Sequence, residues 1–271
     1  MIELKHGRLK AEILEPYREY TGVRFDCMGF IKQIYYSGNP LFCDYYENKF
    51  IGAGLCNEFG ITKTIGYGEN EYFIKIGVGL LKCDNQAYSF MKAYPIKPLQ
   101  YSVDRESDDM ICFCSESRCG AYGVRYKKKI SLGDNLDITY TIENIGEKDI
   151  DTDEYAHNFI RLKSRVCEIT SPVADDTEQL IPALGGVLTI SDKENSAFIC
   201  RYKPKYSQNF FWSISNGEFT IRENSGFDAN DFSVWKSNDI IAPEINCDIR
   251  IKPGRTKTWT RQYVFSQAQG G

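Results

Sequence analysis

His157 is the side chain in this sequence best suited to moving a proton. It is one of only two histidines in 271 residues, the other being His6, and Asp153 and Glu154 lie just before it. An unperturbed imidazole titrates at about pH 6.5, so it can exchange a proton near neutrality without a large environmental shift. Two readings of the segment are open: a histidine that trades protons with a ligand, or a partly buried histidine whose ring nitrogens are satisfied by neighbours. A metal site is the weaker expectation. One histidine with Asp153 and Glu154 is a poor start for zinc, and hard cations want more converging oxygens. Cys112 and Cys114 would share a strand face by alternation, with Cys119 close by, but no second ligand pair at metal spacing accompanies them. They read as core thiols.

Composition narrows the function classes. A formal charge of −4 and the lack of any compact basic run apart from Lys127 to Lys129 argue against a nucleic-acid partner. That run falls in a strand-like stretch and reads as a solvated edge. Ten cysteines in 271 residues fall below the density of a disulfide scaffold and are expected to be reduced. The first residues lack the basic-then-apolar pattern of a secretory signal, and the apolar run Ile76 to Leu81 is far too short to cross a bilayer. A cytoplasmic protein without a membrane partner is expected, and nothing in the sequence specifies an oligomeric state.

The elements that must position His157 have a period of two. Leu136, Ile138, Tyr140 and Ile142 alternate with Asp137, Thr139, Thr141 and Glu143, the pattern of a strand with one buried and one wet face. Similar runs cover residues 8–14, 23–36, 71–81, 87–94, 110–114, 123–132, 155–162, 187–190, 197–202, 210–214, 218–222, 232–235, 247–251 and 258–265. Turn residues punctuate them, Asn216-Gly217 being the sharpest hairpin signal. The only helical expectation is one turn at Asp175 to Leu180, where Glu178 belongs to a solvated loop or helix start. So many strands, with no linker or composition break, predict an all-β fold: one large, mostly antiparallel sandwich domain over residues 1–271, with 267–271 frayed.

Late in the chain, Ala242-Pro243-Glu244-Ile245-Asn246 precedes an alternating strand, the turn Pro253-Gly254, and Trp259, Arg261, Tyr263 and Phe265. With the mid-chain Tyr155-Ala156-His157-Asn158-Phe159, this order resembles the galactose mutarotase-like superfamily, of which aldose 1-epimerases are the best-known members. The segments Gly22 to Asp26, Gly29 to Ile31, Gly54 to Gly60 and Phe73 to Gly79 resemble a bacterial branch of it, so the similarity runs over nearly the whole chain.

The resemblance implies a β-supersandwich with a sugar-binding groove on a concave face. It implies His157 as general acid and Glu244 as general base in exchanging sugar anomers, with no metal or organic cofactor. A carboxylate and an imidazolium on opposite sides of the sugar would serve, each form of proton help being worth about 10²- to 10⁴-fold in rate. Epimerases of this kind carry a further sugar-binding histidine in an earlier Leu-His-Gly-like segment, and this chain has no histidine there. In the nearest segment, Phe73 to Gly79, the polar residue is Lys75, which could donate to a sugar hydroxyl or pair with an acidic sugar but lacks the acceptor of an imidazole. The missing histidine favours the alternative of a non-catalytic carbohydrate-binding or sugar-sensing module on the same fold. Other candidate sugar contacts are Arg24 and Asp26, sharing a strand face by parity, Glu58 in a Gly-bounded loop, Tyr155, and Arg161 on the His157 face. For Arg24, Asp26 and Glu58 a structural ion pair is the competing reading. Tyr155, Trp212 and Trp235 could each stack on a pyranose or simply pack in the core.

Overall fold

A computed structural model describes residues 1–43, 52–84, 86–162, 166–191, 197–215 and 218–267. The first third of the chain forms β1 (Ile2–His6), β2 (Leu9–Ile13), β3 (Ile31–Tyr36), β4 (Asn39–Pro40), β5 (Leu55–Phe59), β6 (Tyr72–Lys75), β7 (Gly79–Lys82) and β8 (Ile96–Pro98). The middle forms β9 (Gln100–Ser107), β10 (Met110–Cys119), β11 (Tyr122–Leu132), β12 (Leu136–Asn144), β13 (Ile150–Asn158), β14 (Ile160–Arg161), β15 (Val166–Thr170), β16 (Ala183–Leu184) and β17 (Val187–Ser191). The last part forms β18 (Phe198–Tyr202), β19 (Phe211–Ser215), β20 (Phe219–Ser225), β21 (Asp231–Ser237), β22 (Ile240–Ile251) and β23 (Thr256–Gln267).

Two ten-stranded sheets dominate. One has the order β1-β2-β3-β5-β13-β22-β21-β18, with β14 on β22 and β4 on β3; the other runs β16-β17-β15-β19-β20-β23-β12-β11-β10-β9. All pairings between these strands are antiparallel, and no helix is found among the described residues. The second sheet keeps a strict alternation: on β12, Leu136, Ile138, Tyr140 and Ile142 are buried while the residues between them are half-exposed. Facing residues of both sheets make one apolar cluster, where Phe59 of the first meets Tyr126, Tyr140 and Trp259 of the second. No helix there is long and apolar enough to cross a membrane.

Several sequence expectations change. Of the run 23–36 only Ile31–Tyr36 is a strand. The chain ahead of it is irregular and docks on the turn between β6 and β7, where Gly77 (φ +71°) lies so close to Asp26 that a Cβ would overlap its carboxylate. The run 71–81 is a hairpin rather than one strand, residues 87–94 are irregular apart from a turn near Phe90 and Met91, and 175–180 hold a bridge from Asp176 to Ala183 followed by bends, with no helical turn. Strands β1, β5, β9 and β15 and the short β4, β8 and β16 were not anticipated, and β5 places Glu58 on a strand rather than in a loop. The expected Asn216-Gly217 hairpin turn and the frayed 268–271 lie outside the described residues, whereas Gln267 still belongs to β23.

The basic run is not a solvated edge. Strand β11 is interior to its sheet, and Lys128 is buried, donating to Asp26 Oδ2 at 3.2 Å and to Asn57 Oδ1 at 2.6 Å. Deeper still, Arg261 bridges Glu154 at 2.7 Å and Glu223 at 2.5 Å, with all three side chains closed to solvent. Trp212 joins the cluster by donating to Glu223 at 2.7 Å, so its indole is a core group.

Candidate functional site

Strand parity builds the site. On β13 the residues Glu154, Ala156 and Asn158 turn inward, and Asp153, Tyr155 and His157 turn to the outer face. The same face receives Glu244, Asn246 and Asp248 from β22, Asp231, Ser233 and Trp235 from β21, and Ile199 and Arg201 from β18. Thr62, Phe90 and Met91 close the side, giving a groove of about 660 Å³. That volume falls within the roughly 300–1,000 Å³ of small-molecule sites and can hold a pyranose.

Register brings the two expected proton-transfer residues together. Tyr155 pairs with Asn246 and Ile160 with Ile241, which sets His157 level with Glu244. Their side chains meet with Nδ1 2.5 Å from Oε1. The contact is close but off the hydrogen-bonding direction: neither atom has an aligned partner, although both are nearly closed to solvent. We therefore regard it as an electrostatic contact that leaves a directional valence open on each atom. The other carboxylate oxygen, Oε2, accepts from the Ser233 hydroxyl at 3.0 Å.

The imidazole cannot tilt freely. Phe159 stacks on it with ring centroids 5.0 Å apart, and Phe25 meets its edge at 5.4 Å. Its Nε2 lies 2.7 Å from the Tyr155 hydroxyl and 3.0 Å from Arg24 Nη2. Arg24 reaches the groove from the irregular segment before β3, with Phe90 packed over its guanidinium at 4.3 Å.

Behind this layer sits Glu58 on β5, opposite Tyr155 and completely buried. It accepts from Arg24 Nε and Tyr155 Oη, each at 2.7 Å, and from Lys75 Nζ at 3.1 Å. Burial alone would raise its pKa, but Lys75 and Arg24 outweigh that and hold the carboxyl below its ordinary value. Burial likewise pulls the Lys75 ammonium down, with Glu58 opposing. Burial is the chief reason the Tyr155 phenol is pushed well above 10, with the Glu58 charge adding to it.

The candidates thus separate. His157, Glu244, Tyr155 and Arg24 line the groove. Glu58 and Lys75 lie behind its wall; Lys75 donates to Glu58 and, at 2.7 Å, to the Tyr88 hydroxyl. Asp26 leaves the set, because the segment carrying it is not a strand and parity does not apply. Its carboxylate is buried, accepting from Tyr126 at 2.6 Å and from Lys128. Arg161 leaves as well: the ladder from β5 ends at Asn158, and its exposed side chain pairs with Asp239. The sequence reading passed over Ser233, Asn246 and Asp231, although the alternation of polar and apolar residues along β21 and β22 carried the signal. Trp235 does line the groove. Among the described residues, no group of three or more metal-ligating side chains is found.

No family model and no curated protein sequence matches the chain. Solved structures do. A galactose mutarotase-like protein from Lactobacillus casei aligns with a TM-score of 0.66 at 14% identity, covering 98% of this chain and 100% of that one. A galactose mutarotase related enzyme from Lactobacillus acidophilus aligns at 0.63 and 12%, covering 97% and 96%. The chain has the galactose mutarotase-like fold. A GalM/aldose epimerase homologue from C. elegans extends the likeness, with a TM-score of 0.60 at 10% identity and 99% of both chains covered. At such identities the likeness concerns the galactose mutarotase-like architecture, and the chemistry must be argued from this chain's own groove.

Proposed function

We propose that this protein is a cytoplasmic, carbohydrate-active isomerase of the aldose 1-epimerase type, acting on a sugar or sugar derivative without a metal or organic cofactor. The observation that carries the reading is the His157–Glu244 contact in a pyranose-sized groove, each partner retaining an unfilled hydrogen-bonding direction.

The contact revises the expectation of two groups on opposite sides of the sugar. Anomer exchange moves protons at the C1 hydroxyl and the ring oxygen, and both oxygens are bonded to C1, so a compact pair can serve them. Entry of the sugar parts the two side chains. Glu244 takes the proton from the C1 hydroxyl as His157 gives one to the ring oxygen; the C1–ring oxygen bond breaks and an aldehyde forms. After rotation about C1–C2 the steps reverse on the other face, Glu244 returning its proton to the carbonyl oxygen and His157 recovering one from the ring hydroxyl. Arg24 and Tyr155 hold the imidazole, and Phe90 and Trp235 offer ring faces to the sugar.

The test is anomer exchange followed by NMR over a panel of aldoses and their acidic derivatives, with His157→Ala and Glu244→Gln. Loss of exchange in both folded variants is expected. Wild-type rates in both would overturn the assignment. A non-catalytic sugar-binding module is the second reading, favoured by the burial of Lys75, which leaves no second imidazole-like group on the wall. Saturable sugar binding without accelerated exchange would select it.

A further inference from the structure

The second sheet ends on β9, and among the described residues no strand pairs with its outer side. All eight residues from Gln100 to Ser107 are exposed, including those on the core-facing side. Val103 stands opposite the fully buried Phe113, yet it is itself 40% exposed, and Tyr101 on the same face is 42% exposed. The chain at both ends of this edge is already engaged: Leu99 N donates to the Tyr17 hydroxyl at 2.8 Å, and Asp108 O accepts from Lys5 N at 3.0 Å. Between them the outward N–H and C=O groups of β9 form a row open to another strand.

The residues along the row select the occupant. In a continuous antiparallel sheet, directly opposed side chains lie on one face, whereas neighbours along a strand lie on opposite faces. A two-fold axis through such a sheet must therefore set one residue against its own copy. The midpoint of the open row falls between Val103 and Asp104. Asp104 on the axis would oppose two carboxylates, and Arg105 would oppose two guanidiniums and set Asp104 against Glu106. Ser102 would bring Arg105 and Glu106 against Leu99 and Pro98, where the chain has left the edge for β8. Val103 on the axis avoids all of these. It pairs valine with valine, Tyr101 with Arg105 of the second copy, Ser102 with Asp104 and Gln100 with Glu106, so each charge meets a ring or a hydrogen-bond donor. The β9–β10 ladder is irregular beside Glu106, which leaves the five central pairs, Tyr101 to Arg105, as the regular part.

We propose that β9 is the surface through which two copies of this chain associate, pairing with itself about a two-fold axis at Val103. The pairing covers the two apolar side chains that the core leaves bare. The consecutive charges Asp104, Arg105 and Glu106 block other registers, as charges on an edge strand do, and leave this one open. The groove lies on the other sheet, so the inference stands apart from the isomerase reading.

The experiment is sedimentation equilibrium of the full chain. Seven paired residues a side make an interface at the small, reversible end of the range, and a species of twice the 31.1 kDa chain mass is expected at submillimolar protein. Val103→Asp sets two carboxylates across the axis and is expected to leave only monomer. Arg105→Gln withdraws the cation from both Tyr101 rings and is expected to weaken the dimer about tenfold. Oxidation of single-cysteine variants reads the register. Directly opposed Cα atoms lie about 4.5–5.5 Å apart, within disulfide reach, whereas like residues one step off the axis stand about 7–8 Å apart. Val103→Cys is expected to cross-link beyond the wild-type level, and Ser102→Cys and Asp104→Cys are not. A wild-type monomer at millimolar protein overturns the proposal. So does a dimer that Val103→Asp leaves intact, or one that cross-links through Ser102→Cys or Asp104→Cys instead.

Discussion

His157 and Glu244 occupy level positions on neighbouring antiparallel strands, ring nitrogen against carboxylate at 2.5 Å, yet 87 residues apart in sequence. Level neighbours on one face of a sheet share a fixed spacing, so the pair is set by backbone pairing rather than by a flexible loop. A unit held in this way is expected to respond as a unit. His157→Ala and Glu244→Gln should each lower anomer exchange by about 10²- to 10⁴-fold, and the double variant should be little worse than either single one. Steady-state exchange rates across the double-mutant cycle check this; additive losses would mean that the two side chains act separately.

The aromatic wall should affect substrate binding more than turnover. Phe90→Ala removes the ring that lies over Arg24 and faces the groove. An aromatic contact of about 0.5–1.5 kcal/mol corresponds to a two- to tenfold rise in KM. Titration of the sugar gives the comparison, and an unchanged KM would place the sugar elsewhere in the groove.

Below the floor, Arg261→Met would leave Glu154 and Glu223 facing each other without their shared cation. Removing one side of a buried ionic cluster costs about 3–5 kcal/mol. Urea unfolding should show a loss of that order, and a loss under about 1 kcal/mol would imply that the two carboxyls take up protons cheaply.

The acid limb of the stability curve should carry the signature of Glu58. Its folded pKa lies below its ordinary value, so its contribution is complete above the ordinary carboxyl range and is lost as pH falls through the lower, folded value. Glu58→Gln should remove that part of the decline on acidification. Unfolding midpoints of both proteins across the acid range provide the comparison, and identical slopes would show that Glu58 gains nothing from Lys75 and Arg24.

Much of this arrangement was legible in the residues. Alternation along β12 marked a half-buried strand, and the order of the His157 and Glu244 segments pointed to the two strands that the register places side by side. What could not be read depended on partners distant in sequence. Lys128 looked like one of three solvated lysines because its buried partners, Asp26 and Asn57, lie 102 and 71 residues away. Arg24 and Asp26 looked like strand neighbours, but the turn at Gly77 accepts a close approach that breaks the alternation. Ser233 and Asn246 were polar residues on alternating strands, and only the pairing of β21 with β22 reveals that they share the face of Glu244.

The strand order β5-β13-β22-β21 also sets the timing of assembly. As the chain emerges from the ribosome, β5 and β13 can pair while β22 is still unmade, leaving the edge that carries His157 open. Completion of the groove must await closure of a loop spanning most of a hundred residues, a late and slow step for so non-local a pairing. Until then, the strand bearing His157 is an unprotected edge, and the interval before β22 arrives is when this protein is most exposed to mispairing with a second chain.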